Sequence, residues 1–452
     1  MPYLYYLVEL GANKVAFKLG ILGLGTVGCG TVQLLLDSDG RHPLLEEIEI
    51  YRVGVRSPDK PRQVKLPPGV ITTDLEAIVN DPEVDIVVEV MGGLEPAKEL
   101  MLKAIRNGKH IVTANKAVIS RFGEELYTAA NQAGVYVMLE ASVGGGIPVI
   151  QPLKQSLSVN RIQAVTGIIN GTTNYILTRM QSEGSSFDSV LADAQNLGYA
   201  EADPTADVEG LDAADKISIL ASIAFDGGIK REDVYCEGIR QVSKTDISYA
   251  QKLGFVIKLL AIAKKVDGLS VSVRVHPTLV PLEHPLASIN GVNNAILVEG
   301  EPIGQVMFFG PGAGAGATAS AVSSDILNLV SQLISLPQSK VENSKYQISN
   351  LDPLLASFHQ EYCQLAPSEE LVTRFYARFL TKDQPGVIGK LGTCFGKCGV
   401  SLESVVQTGF QEELAEIVVV THDVTEGNFH KALDEIRNLE AIDSIPSLLR
   451  VL

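Results

Sequence analysis

The sequence predicts an α/β protein in three parts: a parallel-sheet unit, a mixed α+β unit, and a small C-terminal unit of β-α-β-β-α-β order. Three observations predict it. Apolar strand-like runs alternate with helical patterns up to Pro148, which is the rhythm of a parallel sheet. Beyond Pro148 the strand signals become short and rich in β-branched residues, as in Arg161–Asn170, Leu269–Val275, Ala295–Val298 and Gln305–Phe309, which suits a mixed sheet. From Arg374 onward, strands and helices follow in a new order with no long repeat.

Composition bounds the function. At 452 residues the chain holds two or three domains, each able to bury its own core. It is 46% hydrophobic and 20% charged, ordinary globular values. A formal net charge of -16 argues against nucleic acid and anionic membrane as partners. No run of about 18 apolar residues exists to cross a membrane. Five cysteines without a disulfide framework suit a reducing cytosol, so a cytoplasmic location is expected. The seven histidines form no metal-ligand pattern. Met1–Leu10 is apolar but lacks a basic start and a small-residue cleavage site, so residues 1–14 read as an extension or a mis-assigned start.

The first part, 15–147, opens on a strand at Val15–Leu22, followed by Gly23-Leu-Gly25-Thr26-Val27-Gly28 and a helix through Leu36. Strand, glycine turn and helix form the context of a Rossmann-like dinucleotide site. Gly23 permits the tight turn, Gly25 lets a pyrophosphate approach, and Gly28 lets helix and strand pack. The N–H groups of Thr26 and Val27 belong to the helix start that holds phosphate. The second strand, Ile48–Val55, ends at Arg56 rather than at an acidic residue. An arginine there favours a 2′-phosphate, so NADP is expected over NAD, with Lys60 and Arg62 adding charge; a plain solvated arginine is the competing reading. Asp85–Val90 and Lys109–Thr113 read as further strands, the latter delivering Ala114-Asn115-Lys116. Lys116 stands at a strand's carboxyl end, where ligands of such sheets bind. A strand at Gly134–Leu139 ends at Glu140-Ala-Ser-Val-Gly-Gly-Gly-Ile-Pro148. There a carboxylate and exposed carbonyls could hold a hard cation, or the glycines could simply form a hinge.

The second part, 148–317, contains the most distinctive stretch, Asn196–Lys216. Glu201, Asp203, Asp207 and Glu209 crowd its first half, which Gly198, Pro204 and Gly210 mark as loop. From Leu211 the spacing turns helical and puts Asp212 and Lys216 on one face, four residues apart. A carboxylate and an amine beneath an acidic loop suit a small substrate with an amine and a reducible oxygen. The alternative is an acidic cluster complementing a helix dipole, with a surface ion pair behind it. Gly171-Thr-Thr-Asn-Tyr starts a helix with threonine caps. Gly310–Gly316 is a bare glycine-alanine turn leading to a helix at 318–336, expected to return to the nucleotide-binding part.

In order, Gly23–Gly28, Thr113–Lys116, Glu140–Pro148, Gly167–Tyr175, Gly198–Lys216 and Gly310–Thr318 resemble the homoserine dehydrogenase family, over about residues 17 to 335. The resemblance implies reversible, NAD(P)H-dependent reduction of L-aspartate 4-semialdehyde to L-homoserine. It implies Lys216 as proton donor, Lys116 as a second catalytic or cofactor-facing lysine, and Asp212, Glu201 and Asp207 at the substrate. Gly198 and Gly314 would line the nicotinamide side. A sodium ion would be held by Glu140 with the carbonyls of Val143, Gly145 and Ile147. Two other readings stay open: a reductase of another amino-acid semialdehyde, and a nucleotide-sensing regulator without turnover.

Residues 337–370 read as a linker with little periodicity. In 371–452 the β-α-β-β-α-β order is ferredoxin-like, and Lys382-Asp-Gln-Pro-Gly-Val387 at its first turn resembles an ACT domain. That resemblance implies a regulatory amino-acid site, with threonine as the expected ligand; an oligomerisation module that binds nothing is the alternative. Pairable sheet edges in both later parts suggest a homodimer or homotetramer.

Overall fold

The computed structural model describes residues 16–268, 270–335, 351–357, 361–411 and 413–452. The expected extension at 1–14 lies outside the described residues, as do 337–350 and 358–360 of the expected linker. The chain divides into two compact units, 1–159 with 313–360, and 160–312 with 361–452.

The first unit carries β1 (Phe17–Leu22), β2 (Ile48–Gly54), β3 (Ile71–Thr72), β4 (Ile86–Glu89), β5 (His110–Thr113) and β6 (Val137–Met138). All pair in parallel, in the order β3-β2-β1-β4-β5-β6 of a doubly wound sheet. Leu19, Ile21, Ile86, Val88 and Val112 are buried, as sheet strands covered on both faces require. β6 is shorter than expected because both flanks are committed elsewhere. Gly134 closes the preceding helix at φ +69, and Glu140 opens a 3-10 turn. The helix Ala315–Ser335 packs Val322, Ile326 and Leu329 into this core, beside the helix Thr26–Leu36. The approach is close: a Cβ on Gly30 would fall 2.9 Å from Ala319 Cβ. Part of the expected linker is also core, because Leu351, Leu355 and Ala356 are buried in it.

The second unit contains β7 (Arg161–Ile168), β8 (Tyr235–Cys236), β9 (Phe255–Lys265), β10 (Ser270–Pro281), β11 (Asn293–Glu301), β12 (Gly304–Pro311), β13 (Gln364–Leu365), β14 (Val372–Lys382), β15 (Leu402–Gln411), β16 (Leu414–Thr421), β17 (Val424–Thr425) and β18 (Ile442–Val451). The main path runs β12-β11-β7-β9-β10-β18-β14-β16-β15. β9, central in it, gave no strand signal in the sequence. Its run Phe255–Ala263, apolar but for Lys258, suits a buried helix segment as well as a buried strand. Three helices, Gly171–Glu183, Leu211–Ala224 and Lys244–Lys252, pack on β9. The acidic stretch expected as loop contains one short helix, Thr205–Val208.

β10 joins two subdomains. One edge pairs with β9; along the other, β13, β8 and β18 pair in turn at Ser270, Arg274 and Thr278. β18 pairs antiparallel with β14 as well, so the C-terminal β-α-β-β-α-β module shares its sheet with the preceding one. Ion pairs fasten the join. Arg378 Nε donates to Asp246 (2.8 Å) and Nη1 to Glu416 (3.2 Å), while Tyr376 and Tyr249 donate their hydroxyls to Asp246 and Glu416. Arg450 bonds Glu426 at 2.8 Å and Glu237 at 3.1 Å, and Arg274 reaches Glu426 at 2.7 Å. No described helix is long and apolar enough to cross a membrane.

Asp246 is fully buried, so a variant that removes its guanidinium partner strands a charge. Arg378→Met is expected to cost about 3–5 kcal/mol of stability. The shift of the urea unfolding midpoint would measure it, and a loss below about 1 kcal/mol would show that the pair is not needed.

Candidate active site

In the first unit, the loop after β1 is built for close approach of an anion. Gly23 sits at φ +107 and donates its N–H to Gly54 (2.9 Å); a Cβ there would fall 2.9 Å from the Val90 carbonyl. A Cβ on Gly28 would fall 2.2 Å from Gly23 O, so the helix Thr26–Leu36 can lie against β1 only with glycine there. Around Gly25 there is open space. Gly25 also caps the helix without a side-chain bond, leaving the first turn, with Thr26 and Val27, for a ligand. These residues fit a dinucleotide pyrophosphate. Arg56 is exposed just beyond β2. Arg62, expected to add charge, ties its own loop, donating to the carbonyls of Ser57, Pro58 and Lys60.

Lys116 is the first residue of the helix Lys116–Ala133, whose cap Asn115 accepts from Val118 N and donates to Gly93 O (2.7 Å). Beneath it lies a group the sequence reading missed. Glu89, fully buried at the end of β4, accepts from Thr113 Oγ1 (2.8 Å) and from the N–H groups of Met91 and Gly92. Burial pushes its carboxyl up. Gly314, also in this unit, stands at φ +124 where the helix Ala315–Ser335 begins, with open space at its Cα.

The loop after β6 shows one feature beyond expectation. Both carboxylate oxygens of Glu140 are taken by backbone: Oε1 accepts from Val149 and Ile150 (2.6 and 2.8 Å), Oε2 from Gln151 (2.7 Å). The side chain serves the start of the helix Ile150–Lys154. Burial, the dominant influence, raises its carboxyl, and Asp325, which accepts from Glu140 N, is raised further by burial and by the Glu140 charge. Val143, Gly145 and Ile147 are buried, and among the described residues no protein donor reaches their carbonyl oxygens. Three oxygens of that kind fit a small monovalent cation.

In the second unit the fold gathers Asp207, Asp212 and Lys216. Asp212 and Lys216 lie on one face of the helix Leu211–Ala224, with Lys216 Nζ 2.7 Å from Asp212 Oδ2 and both side chains 12% exposed. The ammonium also donates to Ile169 O at 2.8 Å. An ammonium has three N–H donors, so one remains for a ligand. The surface ion-pair reading therefore does not hold: this pair is largely buried and hydrogen-bonded to a strand end. Asp207, at the end of the short helix Thr205–Val208, is half-buried, and its carboxyl is raised by burial and by the charge of Asp212. Asn170 bonds both carboxylates, at 2.6 Å to Asp207 and 2.9 Å to Asp212. It is also the cap of the helix Gly171–Glu183, in place of the expected threonines. Asparagine directly before a helical run was the signal available in the sequence. Thr172 Oγ1 donates to Tyr199 O (2.6 Å) and so ties the loop to the same helix. Gly198 turns that loop at φ +75 with open space around it. Glu201 is exposed, and its carboxylate has no protein hydrogen bond among the described residues.

The geometry is that of a nucleotide site in one unit and an acid–base cluster in the other. Family models match in the same order: the NAD-binding domain of homoserine dehydrogenase over residues 23–140, homoserine dehydrogenase over 148–327, and the ACT domain over 375–441. A homoserine dehydrogenase of Synechocystis is 65% identical over 438 residues, covering 96% of this chain and 99% of its own. The chain belongs to the homoserine dehydrogenase family. It is therefore an oxidoreductase that uses a nicotinamide cofactor. The solved homoserine dehydrogenase of Thiobacillus denitrificans superposes with a TM-score of 0.88 at 40% identity, covering 97% of this chain and 98% of that one. A hyperthermophilic archaeal homoserine dehydrogenase in complex with NADPH gives 0.60 at 26% identity, covering 71% and 99%.

Because a methyl on Gly28 would overlap the Gly23 carbonyl, Gly28→Ala in the enzyme is expected to weaken cofactor binding at least roughly tenfold, about 1.4 kcal/mol. Fluorescence titration with NADPH and NADH checks this, and unchanged affinity would contradict the assigned cradle.

Proposed function

We propose that the enzyme interconverts L-aspartate 4-semialdehyde and L-homoserine, with Lys216 as proton donor in reduction and acceptor in oxidation. The carrying observation is the unspent N–H of an ammonium whose other two donors are fixed on Asp212 and Ile169. When bound, the nicotinamide cofactor supplies the hydride to the aldehyde carbon. As the C=O π bond opens, its electron pair moves onto oxygen, and Lys216 Nζ gives that oxygen a proton. The same positive charge offsets the developing alkoxide before the proton moves. Asp212 pairs with the ammonium and aims it. Glu201, with Asp207 beside the cluster, binds the substrate ammonium. Lys116 serves as the second lysine, at the cofactor or the substrate, and Gly198 and Gly314 allow close approach of the nicotinamide.

Arg56, exposed where an acidic residue would oppose a 2′-phosphate, supports NADPH over NADH. A sodium ion fits Glu140 with the carbonyls of Val143, Gly145 and Ile147, the carboxylate also holding the loop through its three backbone bonds. Exchanging sodium for N-methylglucammonium should lower the thermal midpoint, and an unchanged midpoint would remove the ion. The C-terminal module is read as a threonine-responsive ACT domain of a cytoplasmic homodimer or homotetramer. Exposed Met307 and Phe309 on the edge strand β12 support the pairing.

Lys216→Ala is expected to lower turnover by at least about 10²-fold while NADPH still binds. The assay is NADPH oxidation with L-aspartate 4-semialdehyde, with and without L-threonine, and with a semialdehyde lacking the α-amino group. Wild-type turnover by Lys216→Ala would end the assignment of the donor. Equal use of both aldehydes would favour a broader semialdehyde reductase. Indifference to threonine would reopen the ligand of the C-terminal module.

A further inference from the structure

Two carboxylates and one ammonium do not fix their own arrangement. Asp207 comes from the short helix Thr205–Val208 and Asp212 from the helix Leu211–Ala224, with Gly210 at φ +77 between them, and like charges so close repel. Lys216 offsets Asp212, with which it pairs. Asn170 and Thr172 both hydrogen-bond Asp207, and it is the amide of Asn170 that bridges the two carboxylates. It is buried, 5% exposed, at the end of β7.

The orientation of an asparagine amide is ordinarily a choice between two flips. Here the helix decides it. Oδ1 accepts from Thr173 N (2.9 Å) and Thr173 Oγ1 (3.0 Å), the cap bond of the helix Gly171–Glu183. Nδ2 must then face the other way, and its two hydrogens meet one carboxylate each. The residue before it, Ile169, offers its carbonyl to Lys216 Nζ. One short piece of backbone thus fixes both the ammonium and the carboxylates that flank it.

We infer that Asn170 is a positioning residue of the reaction: it clamps Asp207 and Asp212 as a pair and thereby fixes the line along which Lys216 offers its proton. The inference rests on the proposed role of Lys216. It assigns Asn170 no contact with substrate. The charged groups facing the amide are Asp207 and Asp212, with Lys216 acting through Asp212; Thr173 supplies only neutral partners.

Two variants separate this role from plain helix capping. Asn170→Asp keeps the oxygen that caps Thr173 but replaces both donors by a third carboxylate oxygen. Asn170→Ser keeps a good cap and cannot reach the carboxylates. Each is assayed as the full chain for kcat and KM with L-aspartate 4-semialdehyde from pH 6 to pH 9, with NADPH binding and thermal midpoint recorded alongside. For both, kcat should fall roughly ten- to a hundredfold through misalignment, with NADPH affinity unchanged. The Asp variant carries a further signature. At lower pH its crowded carboxylates take up a proton, which restores an O–H donor at position 170. The ratio of its kcat to wild type should therefore rise as pH falls, while the ratio for the Ser variant stays flat. Wild-type kcat in either variant, or the same pH-independent loss in both, would overturn the inference and leave Asn170 as a cap. If Asn170→Asp does not fold, kcat of the Ser variant alone decides, wild-type turnover overturning the inference. A wild-type enzyme that does not reduce the semialdehyde would instead overturn the functional reading, and that is measured first.

Discussion

The 2.7 Å contact between the Lys216 ammonium and the Asp212 carboxylate is the constraint from which the substrate cluster is built. Both side chains are nearly out of water, and a lone charge in such a place is strongly disfavoured. Each is tolerated because the other is present. The pair needs further bonds to be worth keeping, and the strand end supplies them through the Ile169 carbonyl and the Asn170 amide. The result is an ammonium in a largely dry place with a fixed direction, the arrangement the proposed proton transfer uses.

The nucleotide side is organised by the opposite means. There the backbone lies open to approach, and the sequence's contribution is mostly what it leaves out. Gly23, Gly25 and Gly28 clear space for a ligand and for close packing, while Gly30 admits the returning helix Ala315–Ser335. Buried Glu89 ties the end of β4 to β5 by accepting the Thr113 hydroxyl, and holds the loop after β4 by accepting the N–H groups of Met91 and Gly92.

What could be read from the sequence follows the range of each interaction. The glycine turn and the Asp212–Lys216 pair are set by spacings of a few residues, and both stand as read. Asn170 reaches partners 37 and 42 positions away, and no local pattern announces such a bond. β9 was missed because a strand covered on both faces loses the alternation that marks one. The proximity of Glu140 to glycines is visible in sequence, whereas its three bonds to residues 149–151 depend on how the loop folds back. The stretch expected as a linker supplied Leu351, Leu355 and Ala356 to a core, since three apolar residues are too few to show a period.

β18 lies between β10 and β14, yet it follows every other strand of its sheet along the chain. During synthesis, the end of β10 at Thr278 and Leu279 therefore stays without this partner until residues near Arg450 leave the ribosome. Arg274 and Glu426 can pair earlier, but the bond from Arg450 to Glu237 comes last. A nascent chain lacking this strand would leave one side of β14, and of β10 at Thr278 and Leu279, unpaired, edges open to an extended segment. The sheet shared by the two subdomains is thus closed by one late-emerging strand, which pairs with both at once.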